Sequence, residues 1–290
     1  METFIHQLVA GLATGGIYAA VALALVMIYQ ATRHVNFAQG EMAMFSTYIA
    51  WSLIHAGLPY WLAFVATVAF AFVLGVAVER LVLRRLGNAP VLTMVVVFVG
   101  LLVIFNSVAG WLYTFTIKSF PSPFPSTPPF GQTFVSWHQL GTIAVTLAVL
   151  AALFAFFRFT SLGLAMRAAA QNPVSSRLVG IRVGWMLALG WGLGSAIGAI
   201  AGMMVAPVVY LDPNMMSGVL LYALAAALLG GIDSPLGAVL GGFLVGVLEN
   251  LAGTYLVGTE LKLSVALALI VGVLVVRPSG LFGKPQVTKV

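Results

Sequence analysis

Nine apolar runs, most of them long enough to cross a bilayer, leave this chain little from which to build a surface facing water. They fall at about residues 8–28, 42–55, 61–78, 91–113, 140–157, 185–209, 219–232, 236–257 and 263–276. Spanning hydrocarbon takes about 20 helical residues, and runs of about 10–14 are buried or re-entrant. The runs at 42–55, 219–232 and 263–276 are short, so the expected number of membrane segments is about eight to ten. Backbone in lipid must satisfy its own hydrogen bonds, and uninterrupted runs of this length specify helices rather than a barrel. The expected fold is therefore an all-α integral membrane protein, a polytopic bundle with some helices broken or re-entrant. Residues 1–290 are read as one transmembrane domain.

Composition agrees. Only 7% of the residues are charged, against roughly 25% in an ordinary soluble domain. With no cysteine, disulfides and thiolate metal sites are excluded. No Lys or Arg precedes the first apolar run, whereas a cleaved signal peptide needs a basic start. The first run is therefore expected to be retained. The net charge of +6 fits membrane orientation rather than nucleic acid. Lys and Arg stay preferentially in the cytoplasm, and alternation over nine spans puts Arg33, Arg80, Arg84, Arg85, Arg158, Arg167, Arg177, Arg182, Arg277, Lys284 and Lys289 inside. Only Lys118 and Lys262 fall outside. The N-terminus is then external and the C-terminus cytoplasmic.

Two connectors are long. Residues 118–139 contain Pro121, Pro123, Pro125, Pro128 and Pro129, which cannot continue a helix, and form an external loop or cap. Residues 158–184 are basic, with helical character over 164–171 until Asn172-Pro173 interrupts it. This segment is placed in the cytoplasm. Gly190, Gly194, Gly198 and Gly202 recur every four residues, as do Gly237 with Gly241 and Gly242 with Gly246. That spacing lets helix backbones approach closely in lipid; lining a narrow pore is the lesser reading of the same stripe.

Polar groups in an apolar chain need a reason, since a charge at the bilayer centre costs about 2.5–3.5 kcal/mol on insertion scales. The densest group is Arg33-His34-Val35-Asn36-Phe37-Ala38-Gln39-Gly40-Glu41. It is either an ordinary connector or a broken segment whose backbone lines a cavity, as in transporters with interrupted helices. A second interruption, Gly230-Gly231-Ile232-Asp233-Ser234-Pro235-Leu236-Gly237, offers Asp233 or Ser234 as a cap for a helix starting near Pro235. Asn106, Glu249 and Asn250 lie inside apolar runs; each lines a path or bonds a neighbouring helix, and Glu249 is the strongest candidate for the path.

Chemistry motifs are missing. There is no G-x-x-x-x-G-K-[ST] phosphate loop and no H-E-x-x-H pair. His6, His34, His55 and His138 are scattered, and no Gly-x-Ser-x-Gly occurs. The chain is read as a transport subunit and not an enzyme, with no catalytic residues, no metal and no cofactor of its own.

Three stretches resemble the permease subunits of ATP-binding cassette importers for branched-chain amino acids, the LivH-type half in particular. Gly11-Leu12-Ala13-Thr14-Gly15-Gly16-Ile17-Tyr18-Ala19, leading to Val35-Asn36-Phe37-Ala38-Gln39-Gly40-Glu41, is similar to the family's G-x-x-Y-A-L start and N-F-A-H-G-E signature. Gln39 stands where His is usual. Thr160-Ser161-Leu162-Gly163-Leu164-Ala165-Met166-Arg167-Ala168 through Leu178-Val179-Gly180-Ile181 is similar to the T-x-x-G-x-A-x-R-A…G-I segment that docks on the ATPase. Leu229-Gly230-Gly231-Ile232-Asp233-Ser234-Pro235-Leu236-Gly237-Ala238 is close to G-G-x-G-S-x-x-G-A, with Asp233 where Gly is more common.

The resemblance implies a multi-pass subunit of the bacterial inner membrane that moves branched-chain or related hydrophobic amino acids inward. It also implies a second, LivM-like permease chain, two ATP-binding subunits that hold the ATP, and an external substrate-binding protein. On this reading Asn36, Gln39, Glu41, Asp233, Ser234 and Glu249 shape the substrate path. Gly163, Arg167, Asn172 and Gly180 belong to the segment coupled to the ATPases. The alternatives are the same importer type for urea, short amides or aromatic acids, and a carrier or channel working alone.

Overall fold

A computed structural model describes residues 2–87, 89–125, 136–258, 261–277 and 279–283. Pro128, Pro129, Lys284 and Lys289, named above, lie outside the described residues. Among the described residues the regular structure is helical, apart from one isolated antiparallel bridge between Lys118 and Leu211. The helices are α1 (Glu2–Thr32), α2 (Gln39–His55), α3 (Tyr60–Val78), α4 (Arg84–Leu86), α5 (Val91–Tyr113), α6 (Trp137–Phe159), α7 (Ser161–Gln171), α8 (Pro173–Leu178), α9 (Val183–Val209), α10 (Met216–Gly230), α11 (Pro235–Ala252) and α12 (Lys262–Val276). A π-helical turn, Glu79–Leu83, joins α3 to α4, and another, Gly253–Val257, extends α11.

The chain is a multi-pass, all-α membrane protein. Among the described residues six stretches are long and apolar enough to cross a bilayer: Thr3–Thr32, Tyr60–Leu86, Val91–Tyr113, Trp137–Phe159, Val183–Val209 and Pro235–Leu256. The three short apolar runs became the short helices α2, α10 and α12, of 17, 15 and 15 residues. Large apolar side chains such as Leu92, Val96, Val103, Trp111 and Phe154 point outward. In water this would be a liability; against lipid it is what the solvent demands.

Contacts divide the chain into two compact units. The first comprises residues 1–26, 122–148 and 218–290, the second residues 27–121 and 149–217. In the first, α1 and α11 touch backbone to backbone. A Cβ on Gly11 would lie 2.8 Å from the Cα of Val247, and one on Gly15 would lie 2.7 Å from that of Phe243. Gly242 and Gly246 face Ala19 and Gly15 in return. Such contact is how helices associate when no hydrophobic effect separates them from lipid.

The second unit is built on α9. Gly75 of α3 sits against the Trp191 carbonyl and Ser195, so α3 and α9 run in close contact. Trp191 is fully buried and stacks on Phe98 of α5, ring centroids 5.9 Å apart, within a core that includes Ile28, Met42, Met94 and Leu101.

Candidate functional site

In the second unit, α2 begins where its neighbours are already well into the membrane. Gln39, its first residue, donates its side-chain amide to the carbonyl of Gly194 at 3.1 Å. Gly194 lies eleven residues into α9, roughly 17 Å from that helix's start. Four residues on, Gly198 faces the same Gln39 amide, and Gly202 faces Thr47 and, at 2.9 Å from a notional Cβ, the Ala43 carbonyl. The two helices are therefore parallel. On the other side Asn106 lies beside Glu41, and Tyr113, seven residues later, stacks on Tyr48 with ring centroids 4.5 Å apart. Thus α5 also runs parallel to α2. Asn106 is fifteen residues, roughly 22 Å, from the start of α5. The stretch 33–38 therefore breaks the helix inside a span of roughly 30 Å.

A break at that depth exposes backbone groups that water cannot reach, and the side chains there answer the need. Asn36 is fully buried; its Oδ1 accepts from the Ala38 amide at 3.0 Å and its Nδ2 donates to Gln39 Oε1 at 3.3 Å. Gln39 passes the chain of bonds on to α9. Arg33 turns the chain with a positive φ of 61°. Glu41, only 5% exposed, leaves Oε2 without a hydrogen-bond partner.

The second interruption belongs to the first unit. Ser234, not Asp233, caps α11: its hydroxyl accepts from the Gly237 amide at 3.0 Å, with Pro235 in the first turn. Asp233 sits half-buried in the turn. The last carbonyls of α10 receive bonds from the far end of the chain, Leu281 N to Leu229 O at 2.8 Å and Phe282 N to Gly230 O at 3.0 Å. Gly231 takes a φ of 105° there, a conformation that glycine enters without steric cost.

Glu249, on α11, is 7% exposed. It lies within hydrogen-bonding reach of Tyr18 on α1 and Tyr222 on α10, whose rings stack at 4.8 Å. Its Oε2 is unpartnered. The adjacent Asn250 ties α1 to α12, donating to the Gln7 carbonyl at 3.0 Å and accepting from Lys262 at 3.3 Å. Composition gave no reason to single out Tyr18, Tyr222 or Tyr48, because tyrosine blends into an apolar run; Tyr18 was visible only within the quoted first motif.

The segment between α6 and α9 is two capped helices. Thr160 accepts from the Gly163 amide at 3.0 Å to start α7, and Asn172 accepts from Ser175 N at 3.0 Å to start α8. Gly163, Met166 and Ala169 form the buried face of α7, while Leu164 and Arg167 point outward. Gly180 ends the segment with a φ of 85°. Beyond it, the start of α9 is held by the π-helical turn and the first residue of α4. Arg84 donates to the Gly184 carbonyl at 2.6 Å and pairs with buried Glu79 at 3.4 Å, and the Arg80 guanidinium lies 3.4 Å over the Trp185 ring. Gly190 meets Ala31 of α1.

The family model described as the branched-chain amino acid transport system / permease component matches residues 7–274. A "High-affinity branched-chain amino acid transport system permease protein LivH" from Salmonella typhimurium is 31% identical, covering 99% of this chain and 98% of its own. A protein of the same description called BraD, from Pseudomonas aeruginosa, is also 31% identical with the same coverage. A "Probable branched-chain amino acid transport permease protein LivH" from Methanocaldococcus jannaschii is 25% identical over 91% of this chain and 87% of its own. Among solved structures, PsaBC from Streptococcus pneumoniae in complex with Fab aligns at a TM-score of 0.48 and 13% identity, over 92% of this chain and 88% of that one.

Proposed function

Because the chain belongs to the family of permease components of branched-chain amino acid transport systems, we propose that it is the membrane-spanning half of an ATP-binding cassette importer for branched-chain or related hydrophobic amino acids. The structural observation that carries the reading is the break at residues 33–38, just ahead of α2 and inside the span, with Asn36, Gln39 and Glu41 gathered at it. Interrupted helices at membrane depth are where transporters hold their solutes. Asp233, Ser234 and Glu249, in the first unit, are the remaining residues we assign to solute passage.

The chain carries no phosphate-loop motif, so ATP is bound and hydrolysed on two partner subunits. A second, LivM-like permease completes the membrane part, and an external binding protein delivers the solute. The chain sits in the bacterial inner membrane with its N-terminus external and its C-terminus cytoplasmic. The outward face of α7, with Leu164 and Arg167, is then the surface that meets an ATPase. Residues Gly163, Asn172 and Gly180 shape that segment by close packing, capping and turning.

Purification in mild detergent from the native host tests the reading, followed by uptake of radiolabelled leucine into proteoliposomes. Recovery of two ATP-binding subunits and a related permease, with ATP-dependent leucine uptake, is the expected result. Recovery of the chain alone, transporting without ATPases, overturns it.

A further inference from the structure

We infer that Glu41, Asp212 and Tyr48 form a recognition site for the ammonium group of the transported solute, on the path that the proposed function assigns to this chain. Glu41 and Tyr48 are seven residues apart and share a face of α2. Asp212 comes from the connector after α9, which turns back at Tyr210 with a φ of 65° and is pinned there. The pins are the Lys118–Leu211 bridge and the Asn106 amide, which donates to Pro213 O at 2.8 Å and Asn214 Oδ1 at 3.0 Å. This brings the connector to the level of Asn106, seven residues short of the end of α5. Asp212 acts electrostatically on both Glu41 and Tyr48.

Two acceptors stand unused at this place. Glu41 is 5% exposed and Tyr48 is fully buried, yet neither Glu41 Oε2 nor the Tyr48 hydroxyl has a hydrogen-bond partner. Leaving such groups buried and unpaired costs about 1–3 kcal/mol each, more when charged. Among the described residues no Lys, Arg or His forms an ion pair with Glu41. The cluster is open on one side, with Asn214 exposed and Asp212 half-exposed. No set of three or more His, Cys, Asp or Glu suited to a metal ion occurs among the described residues. Two carboxyl groups and a phenol, dry at one end and accessible at the other, suit a primary ammonium, a cation whose hydrogen-bonding groups are all donors.

The test uses the complete transporter in nanodiscs, without the binding protein, so that only the membrane site is read. Tritiated leucine and its competitor 4-methylpentanoate, which has leucine's apolar chain and carboxylate but no ammonium, are the probes. Wild type is expected to prefer leucine at least tenfold. Glu41→Gln should abolish most of that preference, and Tyr48→Phe, which keeps the stack on Tyr113, should reduce it about threefold. Should Glu41→Gln fail to assemble, Tyr48→Phe still decides. An unchanged preference in the assembled variants overturns the inference, as does wild type that binds leucine but does not distinguish the two probes. Failure of the same complex to take up any amino acid in proteoliposomes supplied with its binding protein and ATP overturns instead the reading on which the inference rests.

Discussion

Gln39 hydrogen-bonds the Gly194 carbonyl at 3.1 Å, and through that bond the first turn of α2 is fastened to the middle of α9. The glycine matters as much as the glutamine: with no side chain at Gly194 or Gly198, the amide reaches the backbone of α9 directly. The same Gln39 holds Asn36 through Oε1, so one side chain anchors both the broken stretch and the helix that follows.

Replacing Gln39 by Leu keeps the volume but leaves the Asn36 amide and the Gly194 carbonyl short of a partner. Each loss of this kind costs about 1–3 kcal/mol. The expected result is a thermal midpoint in detergent several degrees lower, about 2–4 °C per kcal/mol for a chain of this order. An unchanged midpoint would show that the bond contributes nothing to stability.

Gly202 and Gly100 make a matched pair. A Cβ at Gly202 meets Thr47 and the Ala43 carbonyl, whereas one at Gly100 meets nothing within 4 Å. Gly202→Ala should therefore destabilise by about 1–3 kcal/mol, as overpacking does. Gly100→Ala should be neutral or slightly stabilising, because glycine is a poor helix residue. Parallel melts of the two variants read the difference directly, and equal behaviour would refute the close α2–α9 contact.

The helices were legible in the sequence because lipid leaves so few choices: each apolar run became a helix, and the Asn172-Pro173 break and the Ser234 cap fell where local chemistry places them. Depth was not legible. Nothing in Arg33 to Glu41 distinguishes a connector at the surface from a break inside the span; that depended on Gln39 meeting Gly194 and Glu41 meeting Asn106, contacts between residues far apart in the chain. The inward turn at Leu211–Met215, which brings Asp212 towards Glu41, was hidden for the same reason. Polar residues drew notice by contrast with their neighbours, and tyrosines, being half apolar, did not.

At the start of α9, Arg80 stacks on Trp185 while Arg84 holds the Gly184 carbonyl and Glu79. A cation–π contact is worth about 0.5–2 kcal/mol, so Arg80→Ala should lower stability by that order and Arg80→Lys by less. Because Gly180 and Arg182 lead from α8 into this clamp, Arg84→Ala should weaken the link between α8 and α3 as well. The expected signature is faster amide hydrogen exchange at the beginning of α9, with the rest of that helix unaffected. Uniform exchange along α9 would show that the clamp does not hold its start.

Arg167 tests the coupling surface. It stands on the outward face of α7, opposite buried Gly163, Met166 and Ala169, so a change in its charge leaves the helix packing alone. Arg167→Glu should cut ATP-driven uptake at least tenfold and weaken the stimulation of ATPase activity by the loaded binding protein. Arg167→Lys, which keeps the charge but not the planar fork of donors, should fall between the variant and wild type. Assembly, read by co-purification of the ATP-binding subunits, separates two ways of failing. If the subunits no longer co-purify, Arg167 serves docking; if they do and stimulation is lost, it transmits the motion. Were uptake and stimulation both untouched by Arg167→Glu, the outward face of α7 would have no part in coupling, and the ATPase contact would have to lie elsewhere along 158–184.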